Sequence, residues 1–182
     1  MKIKILFFLI VISIGFSFYY FNEYSIENDK EAIQSNLKVW LNRGSNAEAL
    51  EPDVLKTVQL EDTKSYISLF QLQEGNYGYA HLIKGINGKL KIILSGHGSS
   101  IINHQIIETT KGIYLVLYGA NPHMEINSIL VDSRTELQNF KINVPKEKSF
   151  LIYKKVPDNF EPLLFEEYQY FDENGNEIGL YQ

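Results

Sequence analysis

The side chains able to do chemistry are few and scattered along the 182 residues. The histidines are His81, His97, His104 and His123, and there is no cysteine. That absence excludes thiolate metal ligands, a cysteine nucleophile, a disulfide framework and a lipid-modified cysteine. The densest local cluster is Ser95-Gly96-His97-Gly98-Ser99-Ser100. Its glycines let successive backbone amides face an anion, and its imidazole and hydroxyls can add hydrogen bonds. His97, Ser99 and Ser100 are therefore the candidate ligand-binding residues. The stretch is not a phosphate-binding loop, because it lacks the lysine and the following helix. It is not a nucleophile elbow either, because no serine sits between glycines at the required spacing. The expectation is a loop joining two strands.

The other constellations are weaker. His104 and Glu108 share a strand face, since successive residues alternate sides and those four apart return to the same one, but a metal site needs a third ligand such as His81 or His97 and none of the usual zinc spacings occurs. Asp172-Glu173-Asn174-Gly175-Asn176-Glu177 suggests calcium, yet Glu177 stands where an EF-hand needs glycine and the twelfth position falls past Gln182. A carboxylate-rich hairpin turn accounts for it. Glu108, Glu125, Glu166 and Glu167 offer no recognisable hydrolytic pair, and no triad or nucleotide loop is present. No catalytic residue, metal or cofactor is assigned, and the balance leans away from an enzyme.

The elements that must position these residues come from periodicity. Ile26, Ile33, Leu37, Trp40 and Leu41 make one apolar stripe over Ser25–Gly44, which predicts an amphipathic helix packed on a sheet, with Trp40 as its main core contact. Asn28 with Glu31 predicts the amino-terminal cap, Arg43 suits the last turn, and Gly44 the end. From Leu55 the period changes to two. Strands are predicted at Leu55–Leu60, Ser65–Gln73, Tyr77–Lys84, Lys89–Ser95, Ile101–Glu108, Ile113–Ala120, Ile126–Val131, Leu137–Val144, Phe150–Lys155, Leu164–Phe171 and Ile178–Leu180. Turn pairs such as Asn87-Gly88 and Asn174-Gly175 separate them. The fold class is mainly β: an antiparallel β-sandwich-like or partly rolled sheet with one N-terminal amphipathic helix after a membrane segment. Lys64-Ser65, Lys111-Gly112 and Lys148-Ser149 open similar aromatic-rich strands, a self-similarity that a β-meander produces without a true repeat.

Ile5–Phe21 carries no charge and spans about 25 Å as a helix, slightly short of a ~30 Å hydrocarbon core. Lys2 and Lys4 precede it, and Glu23, Glu27, Asp29 and Glu31 follow, which predicts a cytoplasmic amino terminus and an external remainder. Residues 1–24 are read as a membrane anchor or signal segment and residues 25–182 as one extracytoplasmic domain. Gly15-Phe16-Ser17 offers a cleavage site before Phe18, which would make the protein secreted. Tyr19, Tyr20 and Tyr24 form an interfacial cluster that favours retention as a single-pass membrane protein. With 22 acidic against 17 basic residues and no clustered basic face, a nucleic-acid partner is not expected.

Tyr118-Gly119-Ala120-Asn121-Pro122, Ile126–Val131, Phe140-Lys141-Ile142, Phe150-Leu151-Ile152-Tyr153 and Tyr170–Ile178 form a strand rhythm over roughly Gly112–Leu180. This rhythm resembles small, uncharacterised membrane-anchored or secreted proteins of Bacillus-like Gram-positive bacteria, and more distantly immunoglobulin-like sandwich modules. The resemblance implies location and fold class and brings no activity. The leading expectation is a binding or interaction module acting on an envelope protein or cell-surface ligand. The alternatives are a cell-envelope hydrolase using the His97–Ser100 loop and a structural protein that self-associates through sheet edges.

Overall fold

In the computed structural model the described residues are 2–44, 48–73, 75–131, 139–158, 160 and 168–179. Helix α1 (Lys2–Glu23) contains a stretch, Lys4–Glu23, long and apolar enough to cross a membrane, and none of it is buried in the protein. Helix α2 (Lys30–Asn42) follows. Its cap is Asp29 rather than Asn28: the Asp29 carboxylate accepts the Ala32 N–H at 2.8 Å. Glu31 consequently sits one residue too early for a capping box. Ile26 lies before the helix, where its backbone bridges Leu90. Ile33 and Leu37 form the buried stripe of α2. Trp40 is only half-buried; its indole donates to the Ser95 hydroxyl at 3.0 Å, and the Arg43 guanidinium lies 3.3 Å above its ring.

Among the described residues, eleven strands build three open antiparallel sheets. The first is a meander, β1 (Asp53–Gln59), β2 (Ser65–Gln73), β3 (Asn76–Lys84) and β4 (Leu90–Gly98), in that order. The second has the order β5 (Ile102–Thr109), β6 (Gly112–Ala120), β9 (Ser149–Val156). The third has the order β11 (Glu177–Ile178), β10 (Gln169–Phe171), β7 (Ser128–Val131), β8 (Phe140–Asn143). The mainly β, antiparallel expectation holds. Each predicted run coincides with a strand to within a few residues, although residues 137–138, 164–167 and 180 lie outside the described residues. The three Lys-led segments do open β2, β6 and β9, but β6 and β9 pair with each other in one sheet while β2 lies inside another, so no repeated unit results.

Alternation along the strands stacks these parts into four layers: α2, first sheet, second sheet, third sheet. Tyr66 and Phe70 of β2, with Ala80 and Leu82 of β3, face α2. Ile67, Leu69, Tyr77 and Tyr79 face the second sheet, which answers with Tyr114, Val116 and Tyr118 of β6. The other face of β6, through Leu115 and Leu117, joins Phe150 against Ile129, Val131 and Ile142 of the third sheet. Strands β2, β3 and β6 are thus covered on both faces, which is why they read as near-continuous apolar runs.

The sheets have two distinct ends. At one end lie the β1–β2, β3–β4 and β5–β6 turns, tied by Tyr114 donating to Glu61 at 2.8 Å and by Lys111 facing Asp62 at 3.5 Å. The end of α1 packs here against the β3–β4 turn, where the Ile86 N–H donates to the Tyr20 hydroxyl at 2.7 Å. At the other end lie the β2–β3, β4–β5 and β6–β7 connections and the start of β9. The nine residues of β3 separate the two ends by about 30 Å.

Candidate functional site

The far end holds a cleft of about 550 Å³, larger than the clefts of about 260 and 230 Å³ beside α2 and beside the β10–β11 turn. A volume of this size lies within the range of small-molecule and short-peptide sites. Strand ends supply its walls: Gln71 of β2, Tyr77 of β3 and Ala120 of β6. The segment Asn121–Ile126 closes one side. That segment is held by Asn121, fully buried, whose amide donates to the Ile126 carbonyl at 3.0 Å and accepts the Ile126 N–H at 3.1 Å. Met124 adopts a left-handed backbone (φ 57°) to make the turn. The β4–β5 connection crosses directly over the end of β6: a Cβ at Gly119 would stand 2.0 Å from the Ile101 carbonyl oxygen, and only glycine leaves room. The Ala120 N–H bonds that same carbonyl at 2.8 Å.

The lining is mixed. Ile101, Pro122, Ile126 and Ile178 give apolar contact, while His123, Glu125 and Lys148 bring an imidazole, a carboxylate and an ammonium to the mouth. All three of those residues are exposed. Among the described residues, no serine, threonine or cysteine lines the cleft.

The sequence candidates lie beside this site without lining it. Ser95–Gly98 is the last part of β4, not a loop: His97 pairs with Gly78 and Gly98 with Tyr77. Strand pairing survives the glycines because the Tyr79 ring covers Gly96, coming within 3.0 Å of where a Cβ would be. His97 lies on the same face as Ser95, which bonds Trp40, so it faces the α2 side of the sheet. Ser99 and Ser100 are exposed in the connection, with the Ser100 carbonyl accepting from Asn103 at 2.9 Å. Ile101, the very next residue, is the one that reaches the cleft. The four histidines occupy four different places. His97 is on β4, His104 packs its ring against Tyr168 at 5.8 Å, His123 is at the cleft, and His81 is buried inside the first sheet. No group of three or more metal-ligating side chains occurs among the described residues. Asp172 caps its own hairpin: its carboxylate accepts the Asn174 and Asn176 N–H groups at 2.9 and 2.8 Å and the Asn176 side chain at 3.0 Å. These bonds, those from Asn176 above all, hold the Asp172 carboxyl below the usual range. Glu166 and Glu167 lie outside the described residues.

Two further groups show the low polarity between the sheets. Burial pushes the Tyr118 phenol up, as it does Tyr79, whose hydroxyl is 2.7 Å from the Gln105 side-chain oxygen. The sequence names His123 and Glu125 singly as candidates, but their grouping with Lys148 is not legible in it, because Lys148 is distant in the chain and joins them only when the strand ends align. The one available signal was the turn pair Asn121-Pro122 followed at once by a histidine and a glutamate. Comparison with protein-family models, with curated proteins and with solved structures finds no match.

Proposed function

We propose that this chain is a membrane-tethered binding module. Helix α1 anchors it, the β domain stands outside the cytoplasm, and the far cleft takes a ligand or a segment of an envelope partner. The carrying observation is the separation of roles: α1 packs on one end of the sheets and the cleft of about 550 Å³ opens at the other, about 30 Å away. Lys2 and Lys4 before the apolar run support the orientation. The occupant that suits the cleft is peptide-like, with an apolar body over Ile101, Pro122 and Ile126 and charges of both signs for Glu125 and Lys148. The hydrolase alternative draws less support, because His97 faces α2 while Ser99 and Ser100 stay outside the cleft. Self-association through β4 draws less as well: a bulge between Ile92 and Leu94 interrupts that edge, a device that discourages strand addition.

A photoreactive residue in place of His123, in full-length protein held in its membrane, is expected to give a discrete adduct. Reversing both charges with Glu125→Lys and Lys148→Glu should reduce its yield about tenfold, equivalent to ~1.4 kcal/mol. An adduct indifferent to both reversals, or no adduct at all, contradicts the reading.

A further inference from the structure

We propose that the β3–β4 hairpin is a second membrane contact, with Ile86 entering the lipid interface beside Tyr20 so that the domain rests on the bilayer. The inference rests on α1 being the anchor and adds a surface to it. Ile86 is 81% exposed, the most exposed large apolar side chain of the β domain among the described residues, and it sits at the tip of the β3–β4 turn against the end of α1.

Its depth is fixed by contacts to α1. The Ile86 N–H donates to the Tyr20 hydroxyl at 2.7 Å, and the Asn87 amide donates to the Tyr24 carbonyl at 2.8 Å. Tyr20 and Tyr24 stack at 4.6 Å, and the hairpin fits against them because Gly85 has no side chain: a Cβ there would meet the Tyr20 hydroxyl and the Tyr24 ring at 2.8 Å. Lys91 pairs with Glu23, and Lys89 with Glu27 at 2.8 Å, so the carboxylates nearest the turn are neutralised. The apolar run Ile5–Phe21 is about 5 Å shorter than a typical hydrocarbon core. Tyr20 therefore lies at or just inside the outer boundary, and Ile86, bonded to it, is brought to the same level. An aliphatic side chain there is at the depth where interfacial apolar groups partition.

The occupant is the lipid surface rather than a protein, because the covalent continuity of α1 with the bilayer brings the tip to that surface. The absence of cysteine allows a direct test. Three single variants of the full chain, Ile86→Cys, Ile12→Cys and Ser99→Cys, are labelled with an environment-sensitive fluorophore. They are reconstituted in vesicles of phosphatidylcholine and phosphatidylglycerol. Quenching by lipid-borne nitroxides is then compared with quenching by aqueous iodide. The expected result at position 86 is quenching by shallow nitroxides, with iodide quenching roughly tenfold weaker than at position 99. Position 12 should respond to deep nitroxides only. A label at 86 as open to iodide as one at 99, with position 12 still in lipid, overturns the hairpin contact and leaves the anchor intact. Protection from iodide at 86 without nitroxide quenching also overturns it, in favour of a protein contact. An aqueous position 12 overturns the anchor reading and this inference with it.

Discussion

Truncating Phe150 to alanine is expected to lower the unfolding free energy by about 3–5 kcal/mol. Phe150 is fully buried, in the layer where the second sheet meets the third. It pairs across the strands with Gly119, so no side chain at that pairing can swing in to fill the space. Phe150 shares its core cluster with Leu117 of the second sheet and Ile129 of the third, so the cavity closes only if two separate sheets move together. Domains are stable by about 5–15 kcal/mol in all, so the loss is a large fraction of the total. Urea unfolding of the full chain in detergent should show an earlier midpoint with an unchanged slope. A change below ~1 kcal/mol would mean that the second and third sheets do not share a packed core. Phe150 also follows the segment that carries Lys148 to the cleft, so weakened packing here should loosen the site as well as the fold.

The second large effect is acid lability through His81. This imidazole is buried on β3, flanked in register by Ile67 on β2 and Leu94 on β4, and its Nε2 has no hydrogen-bond partner among the described residues. Burial alone pushes its pKa down to about 4. In the unfolded chain it titrates near the ordinary value of ~6.5. Between those values the unfolded chain takes up a proton that the folded chain refuses, so stability falls as pH falls from about 6.5 to about 4. Above that window His81 is neutral in both states and contributes no pH dependence. Below it, the loss levels off at up to about 3 kcal/mol. His81→Leu removes the titration and the unpaired nitrogen together, so its stability should exceed that of the parent chain at pH 4.5 and differ much less at pH 7.5. The difference between the two proteins isolates His81 from carboxylates such as Asp172, which also destabilise on acidification. Parallel pH dependence in both proteins would show that His81 is not responsible.

How far the sequence could lead depended on whether a feature is local. Strand positions were legible because period-two alternation and turn chemistry act within about ten residues: Ser65–Gln73 was read to the residue. Helix α2 was legible as a stripe, but its cap moved by one position, because Asn28 and Asp29 are both good caps and only the backbone geometry separates them. The extent of β4 differs from the sequence reading because glycine, serine and histidine together signal a loop, whereas Tyr79 from the neighbouring strand covers Gly96. The stacking of three sheets was not legible, since it depends on which face of each strand finds which partner. The cleft was illegible for the same reason: Gln71, His123 and Lys148 converge only through the register of β2, β6 and β9. The sequence did single out the connection that borders the cleft, one residue short of Ile101.

The central claim is that a membrane-held chain presents its cleft to the outside. The most direct test is thiol accessibility in intact cells expressing the full chain with Pro122→Cys at the cleft mouth. The account predicts labelling by a membrane-impermeant maleimide without permeabilisation, on a product that sediments with membranes. Labelling only after the membrane is opened would contradict it.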